Sequence, residues 1–198
     1  MLSIKQCRDL IDGSEKYSDD KIKEIRDDLQ TLAEITIEQF LVSQRRLTEA
    51  IKKEFKLDIN SIHGIKHWNN VARIGSYLVK HTKADFEVVH LFSYIHDSKR
   101  ENENVDPDHG SRAALFAREL RQKGVIKLPD DKLDKLCFAC ENHTNSEVKS
   151  DDITIQTCWD ADRLDFWRLG IMPDKRHLNT DIAKTQEALE LSREFNYE

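Results

Sequence analysis

The segment Asp85–Glu101, DFEVVHLFSYIHDSKRE, decides how the whole chain is read. Val88, Val89, Leu91, Phe92, Tyr94 and Ile95 form a short apolar run that stops abruptly at His96, Asp97, Ser98, Lys99 and Arg100. At this length an apolar run fits a buried helix or a buried strand, and periodicity alone does not separate them. The neighbours do. Upstream, HWNNVARIGSYLVKHT repeats Val71, Ile74 and Leu78 at helical spacing from a start near His67. Downstream, SRAALFARELRQKG places Ala113, Ala114, Phe116, Ala117 and Leu120 on one side of a helix that Gly124 can end. The segment is therefore read as a buried helix with a polar end.

The remaining stretches follow the same pattern. KLPDDKLDKLCFACENH suggests a helix starting near Asp130 or Asp131, with Leu133, Leu136, Cys137 and Cys140 inward. ITIQTCWDADRLDFWRLG alternates briefly but keeps a longer helical repeat to about Gly170, and TDIAKTQEALELSREF follows with Thr180 as its expected cap. Near the start, Ile22, Ile25, Leu29, Leu32, Ile35 and Ile37 mark an amphipathic helix expected to pack on the rest of the fold. The predicted class is all-α: a compact helical bundle over residues 56–198 that includes a C-terminal helix, and an N-terminal helical extension over residues 1–55 packed on that core.

Composition narrows the function. The AVILMFWYC residues make up 38 %, enough for a core, and 34 % DEKR supplies a charged exterior. With 37 acidic residues against 31 Lys and Arg, the chain carries −6 and no global field that would draw a nucleic acid. The opening MLSIKQCRDL has no signal-peptide core and no run suits a bilayer, so a cytoplasmic protein with no membrane role is expected. Cys7, Cys137, Cys140 and Cys158 make no regular disulfide framework, and CFAC without a second pair reads as buried packing rather than a zinc or redox site.

The chemistry gathers on His67, His96, Asp97 and Asp162, the last inside DADRLD. Imidazole nitrogens and carboxylate oxygens suit a divalent cation, which polarises an ester and lowers the pKa of water. The adjacent His96 and Asp97 differ by about a quarter turn on a helix, so their joint use requires a position near a helix edge. HGIKH lacks the glutamate of a zinc-protease HExxH, so His63 reads as a supporting residue. Asp160 and Asp165 read as local charge or caps, with Asp160 able to orient a histidine. Lys66, Lys99, Arg100, Arg112 and Arg163 are the nearby cations, and Lys99 in HDSK is the candidate for neutralising a phosphoryl oxygen. Trp68, Trp159, Phe166 and Trp167 read as core or pocket wall.

The ordered set in HWNNVARIG, YIHDSKRE and DADRLD resembles the HD-domain superfamily over roughly residues 60 to 170. The resemblance implies an HD-like helical bundle in which His67, His96, Asp97 and Asp162 hold one ion. His109 in DPDHGSRAA and His143 in ENHT resemble the extra ligands of two-metal members, with Asp97 as a bridge. It further implies a metal-dependent phosphohydrolase acting on a nucleotide or another small phosphorylated metabolite, with Mn, Mg, Zn or Fe as the ion and Asp97 and Lys99 in catalytic roles. The competing expectation is a noncatalytic helical protein that binds a phosphorylated ligand or regulates a partner.

Overall fold

A computed structural model describes residues 1–197 and divides into two units, Met1–Arg46 and the chain from Leu47 onward. The expected boundary after residue 55 thus falls inside the second unit. All eight helices among the described residues are α, joined by short 3₁₀ turns and loops without strands. The first unit holds α1 (Ile4–Leu10), entered through a capping box between Ser3 and Gln6, and most of α2 (Asp19–Glu54). Ile22 is fully buried, but Leu29, Leu32, Ile35 and Ile37 are exposed. Two residues advance a helix by about 200°, so Ile35 and Ile37 lie on different faces of α2.

The second unit begins with the last turns of α2, where Leu47 and Ile51 are buried, and continues through α3 (Ile65–Thr82), α4 (Phe86–Ile95) and α5 (His109–Gln122). α6 (Asp130–Asn142), α7 (Ile153–Leu164) and α8 (Gln186–Tyr197) complete it. α4 is central and packs against α3, α5, α6 and α7. Val88, Val89, Leu91, Phe92, Tyr94 and Ile95 are consequently buried over most of the helix surface, which explains an apolar run interrupted only by His90 and Ser93. Asp85 caps α4 by accepting from the Val88 N–H, and Asp152 caps α7 by accepting from Thr154 and Ile155.

Two glycines set the close helix approaches. A Cβ on Gly75 would lie 2.7 Å from Val89 Cγ1, so α3 and α4 meet there without a side chain between them. A Cβ on Gly110 would lie 2.5 Å from the Cys140 carbonyl oxygen, which brings the start of α5 against the end of α6. α7 ends at Leu164 and a 3₁₀ turn continues to Leu169, where Gly170 takes the left-handed conformation. Thr180 does not cap α8. Its N–H and hydroxyl donate to Asp160, so the chain turns once more and α8 starts at Gln186, with the Thr185 hydroxyl accepting from the Ala188 N–H.

Candidate metal centre

Five helix ends converge at one point. His67 lies in the first turn of α3 and Asp162 in the last turn of α7; His109 opens α5, and His143 follows α6. α4 stops at Ile95, so His96 and Asp97 occupy a turn, fixed by the Ser98 hydroxyl donating to Ile95 O at 2.7 Å. The turn resolves the quarter-turn problem of adjacent residues on a continuous helix. All six side chains are buried. The structure thus brings together every predicted ligand: His67, His96, Asp97, His109, His143 and Asp162.

Their spacing suits a cation. Ligands about 2.0–2.2 Å from one ion stand about 3.0–3.5 Å from each other in octahedral or tetrahedral arrangements. Here His67 Nε2 is 3.0 Å from His96 Nε2, 3.4 Å from Asp162 Oδ1 and 3.5 Å from Asp97 Oδ2. His96 Nε2 is 3.6 Å from Asp162 Oδ1 and 3.7 Å from Asp97 Oδ2. On the other side of the same carboxylate, Asp97 Oδ1 is 3.2 Å from His109 Nε2 and 3.5 Å from His143 Nε2, and those two nitrogens are 2.9 Å apart. One carboxylate therefore faces a histidine pair with each oxygen.

The outer ring nitrogens explain why the inner ones are available. Nδ1 of His67 meets Asp165 Oδ2 at 2.7 Å, Nδ1 of His96 meets Phe92 O at 3.0 Å, and Nδ1 of His143 meets Cys140 O at 2.7 Å. His109 Nδ1 meets Asp106 O. Each of these oxygens accepts, so an Nδ1–H on every ring points outward and Nε2 is the nitrogen that faces the centre. Two lone pairs about 3 Å apart repel unless a proton or a cation lies between them. The buried His and Asp groups could hold a metal ion, with His67, His96 and Asp162 as one set and His96, Asp97 and His143 as an overlapping one.

Electrostatics agree. Burial alone would raise the pKa of Asp97, but His96, His109, His143 and His67 outweigh it and hold the carboxyl well below its usual range. Burial likewise opposes ionisation of Asp162, and His96, His67 and Arg168 reverse it. For His67, burial and Arg168 act downward, while Asp165, Asp97 and Asp162 raise its pKa above the ordinary value.

The cations are placed differently from expectation. Lys99 turns to Glu54, 3.1 Å away, and covers the Phe116 ring, so it is not at the donor set. Its neighbour Arg100 is: Nη1 lies 3.4 Å from Asp97 Oδ1 and 3.1 Å from His109 Nε2. Arg112 clamps Asp106 through both carboxylate oxygens, and Lys66 donates to Asn196 O. Arg163 donates to His177 O. Successive residues after the end of a helix point in different directions, and dipeptide spacing does not tell which cation follows the ligands inward.

Asp165 was read as local charge; the structure makes it the partner of His67. It is fully buried and also accepts from the Asn70 and Asn196 side-chain amides, each at 2.9 Å. The i,i+3 spacing of Asp162 and Asp165 was the available signal. Asp160 orients no histidine: its oxygens accept from the backbone and side chains of Asn179 and Thr180. His63 pairs with Glu103 at 2.6 Å and stays outside the ligand cluster, as expected, with burial lowering its pKa. Trp68 and Trp159 are core residues, and Phe166 lines the cavity above the centre. Cys137 and Cys140 are buried thiols whose pKa values burial raises, which fits packing rather than reactivity. No helix among the described residues is long and apolar enough to cross a membrane.

No family model matches the chain, and no curated protein or solved structure matches it.

Proposed function

We propose that the centre hydrolyses phosphate esters of small molecules in a metal-dependent reaction, as the resemblance to the HD-domain superfamily implies. The observation that carries this reading is the placement of Asp97 between two histidine pairs at the floor of a cavity, with the Arg100 guanidinium beside it. His67, His96, Asp97 and Asp162 would hold a divalent cation, which would supply Lewis acidity toward a phosphoryl oxygen and acidify water. Water then adds to phosphorus, the ester P–O bond breaks, and the products are an alcohol and inorganic phosphate.

The residues of the chain perform the positioning. Asp165 and the carbonyls of Phe92, Asp106 and Cys140 fix the four imidazoles before any ligand arrives, so the ordering cost is met during folding. Burial of the six ligands excludes bulk water and strengthens every charge interaction in the site. Arg100 offers a guanidinium to the phosphoryl oxygens as negative charge spreads over them. His109, His143 and Asp97 would be the residues to hold a second ion, and Arg100 lies against the same set, 3.1 Å from His109 Nε2 and 3.4 Å from Asp97 Oδ1.

A screen of phosphate release from nucleotides and small phosphorylated metabolites, run separately with Mn, Mg, Zn and Fe, tests the reading. The expected result is metal-dependent release that His96→Ala and Asp162→Ala abolish while both variants remain folded by circular dichroism. Metal-loaded protein that binds phosphorylated ligands yet releases no phosphate would instead make this a binding protein.

A further inference from the structure

The cavity above the donor set has a volume of about 520 Å³, within the range of sites that enclose a small organic molecule. Its lining changes character from bottom to top. Asp97, His143 and Asp162 are nearly inaccessible and form the floor, with Arg100 at 8 % exposure beside them. Leu169, Ile171 and Met172 line the same cavity at 40, 53 and 63 % exposure, which puts them at the mouth, with Phe166 also on the lining.

Charge is distributed just as unevenly. Arg100 directs Nη1 at Asp97 and His109 and donates from Nη2 to Asn104 O at 2.8 Å, while its buried Nε has no hydrogen-bond partner. Two further guanidiniums are on the lining: Arg163 donates from Nη1 to His177 O at 2.7 Å, and Arg168 donates to Ile62 O at 3.0 Å and Asp165 O at 3.2 Å, bonds that leave both side chains cationic. Asp174 is neutralised by Arg176 at 2.6 Å.

The apolar wall is held in place before a ligand binds. Trp167 Nε1 donates to the Ser192 hydroxyl at 3.1 Å, and Gly170 closes the turn by donating to Trp167 O at 2.9 Å. Three apolar side chains kept at a cavity mouth expose surface that a hydrocarbon ligand would cover.

We propose that the cavity takes a phosphate monoester of an apolar alcohol or phenol, with the phosphate on the floor by Arg100 and the hydrocarbon against Phe166, Leu169, Ile171 and Met172. The assignment rests on the phosphoester reading of the floor and narrows its substrate to monoesters with a hydrophobic organic part.

The test is calorimetric titration of the metal-loaded protein with methylphosphonate, hexylphosphonate and phenylphosphonate, which cannot lose their phosphorus group by ester hydrolysis. A fully buried methylene is worth about fourfold in affinity. With a wall half open to water, hexylphosphonate and phenylphosphonate are expected to bind at least tenfold more tightly than methylphosphonate. Ile171→Asp combined with Met172→Asp, both at exposed positions and therefore compatible with folding, brings that ratio toward one. Equal affinities for the three probes, an unchanged ratio in the double variant, or no phosphonate binding at all would overturn the assignment. Phosphate release from hexyl phosphate and glycerol phosphate separates the two claims. Selective binding of the apolar probes without release sinks hydrolysis alone, and release that ignores the hydrocarbon sinks the cavity assignment alone.

Discussion

Replacing Asp165 with Asn tests whether the centre is built from its outer partners inward. The Asp165 carboxylate is fully buried and accepts from His67 Nδ1 at 2.7 Å and from the amides of Asn70 and Asn196 at 2.9 Å each. Asparagine has the same shape but only one accepting oxygen. If that oxygen serves the two amides, the new NH₂ faces His67 Nδ1, the imidazole must change tautomer, and its proton moves to Nε2, where a metal would bind. If the oxygen serves His67, the NH₂ faces the amide donors and leaves buried groups unsatisfied, at about 1–3 kcal/mol for each. Loss of such an orienting partner typically weakens metal binding about 10–100-fold, or about 1.4–2.8 kcal/mol. Calorimetric titration of metal-free protein with Zn²⁺ measures the affinity, and thermal unfolding with chelator present measures stability. A double-mutant cycle supplies the control, because Asp165→Asn should have little further effect on metal affinity once His67 is Ala. A dissociation constant within twofold of the parent protein, or full additivity with His67→Ala, would refute the claim that Asp165 acts through His67.

Gly110→Ala places a Cβ 2.5 Å from Cys140 O and 2.9 Å from Glu141 O, against an ordinary C···O approach of about 3.3 Å. α5 and α6 must separate by several tenths of an ångström, at a cost of about 1–3 kcal/mol, and the His109–His143 pair opens; thermal unfolding and metal stoichiometry together check it. Arg100→Ala removes the guanidinium 3.1 Å from His109 Nε2, so the variant is expected to bind a second ion more tightly while its KM for phosphate esters rises at least tenfold, read by metal analysis and by kinetics. With metal removed, the stability that His67 contributes through its raised pKa is fully present below about pH 6.5 and is lost as the pH climbs through the elevated folded value. The chelated protein should thus melt at lower temperature on going from pH 6 to pH 8.5, while Zn²⁺ affinity rises over the same interval as the ion displaces the proton. Asp97 and Asp162 have depressed values, so their contributions persist throughout this range and fade only below about pH 4.

The same residues show which kinds of information a sequence carries. The all-α class was readable because apolar spacing along α3, α5 and α6 reports directly which face is buried. α4 defied that reading, being buried over most of its surface apart from Phe86, Glu87 and His90, and only its neighbours identified it. The six clustered His and Asp residues were readable because the ordered stretches HWNNVARIG, YIHDSKRE, DPDHGSRAA, ENHT and DADRLD singled them out among many other Asp residues, which residue type alone would not have done. Along α2, Leu29 and Leu32 stay on the Ile22 side of the helix and are nevertheless exposed, so helical spacing reports a shared face and not what covers it.

What escaped the sequence is the layer of orientation, and the reason is physical. A ligand must be one of a few residue types, but its outer partner need only accept a proton, so carbonyls of Phe92, Asp106 and Cys140 serve as well as the carboxylate of Asp165. Backbone oxygens carry no residue signature, and their direction is set by where a helix ends. The same indifference governs the cations: Lys99 and Arg100 are equivalent in charge, and the turn that closes α4 sends one to Glu54 and the other to Asp97. Helix termination thus selects the functional residue from a pair that composition cannot separate. It follows that a change in the turn after Ile95 would damage the centre more than an exchange of Lys99 for another side chain, although Lys99 stands closer in sequence to the ligands than Arg100 does.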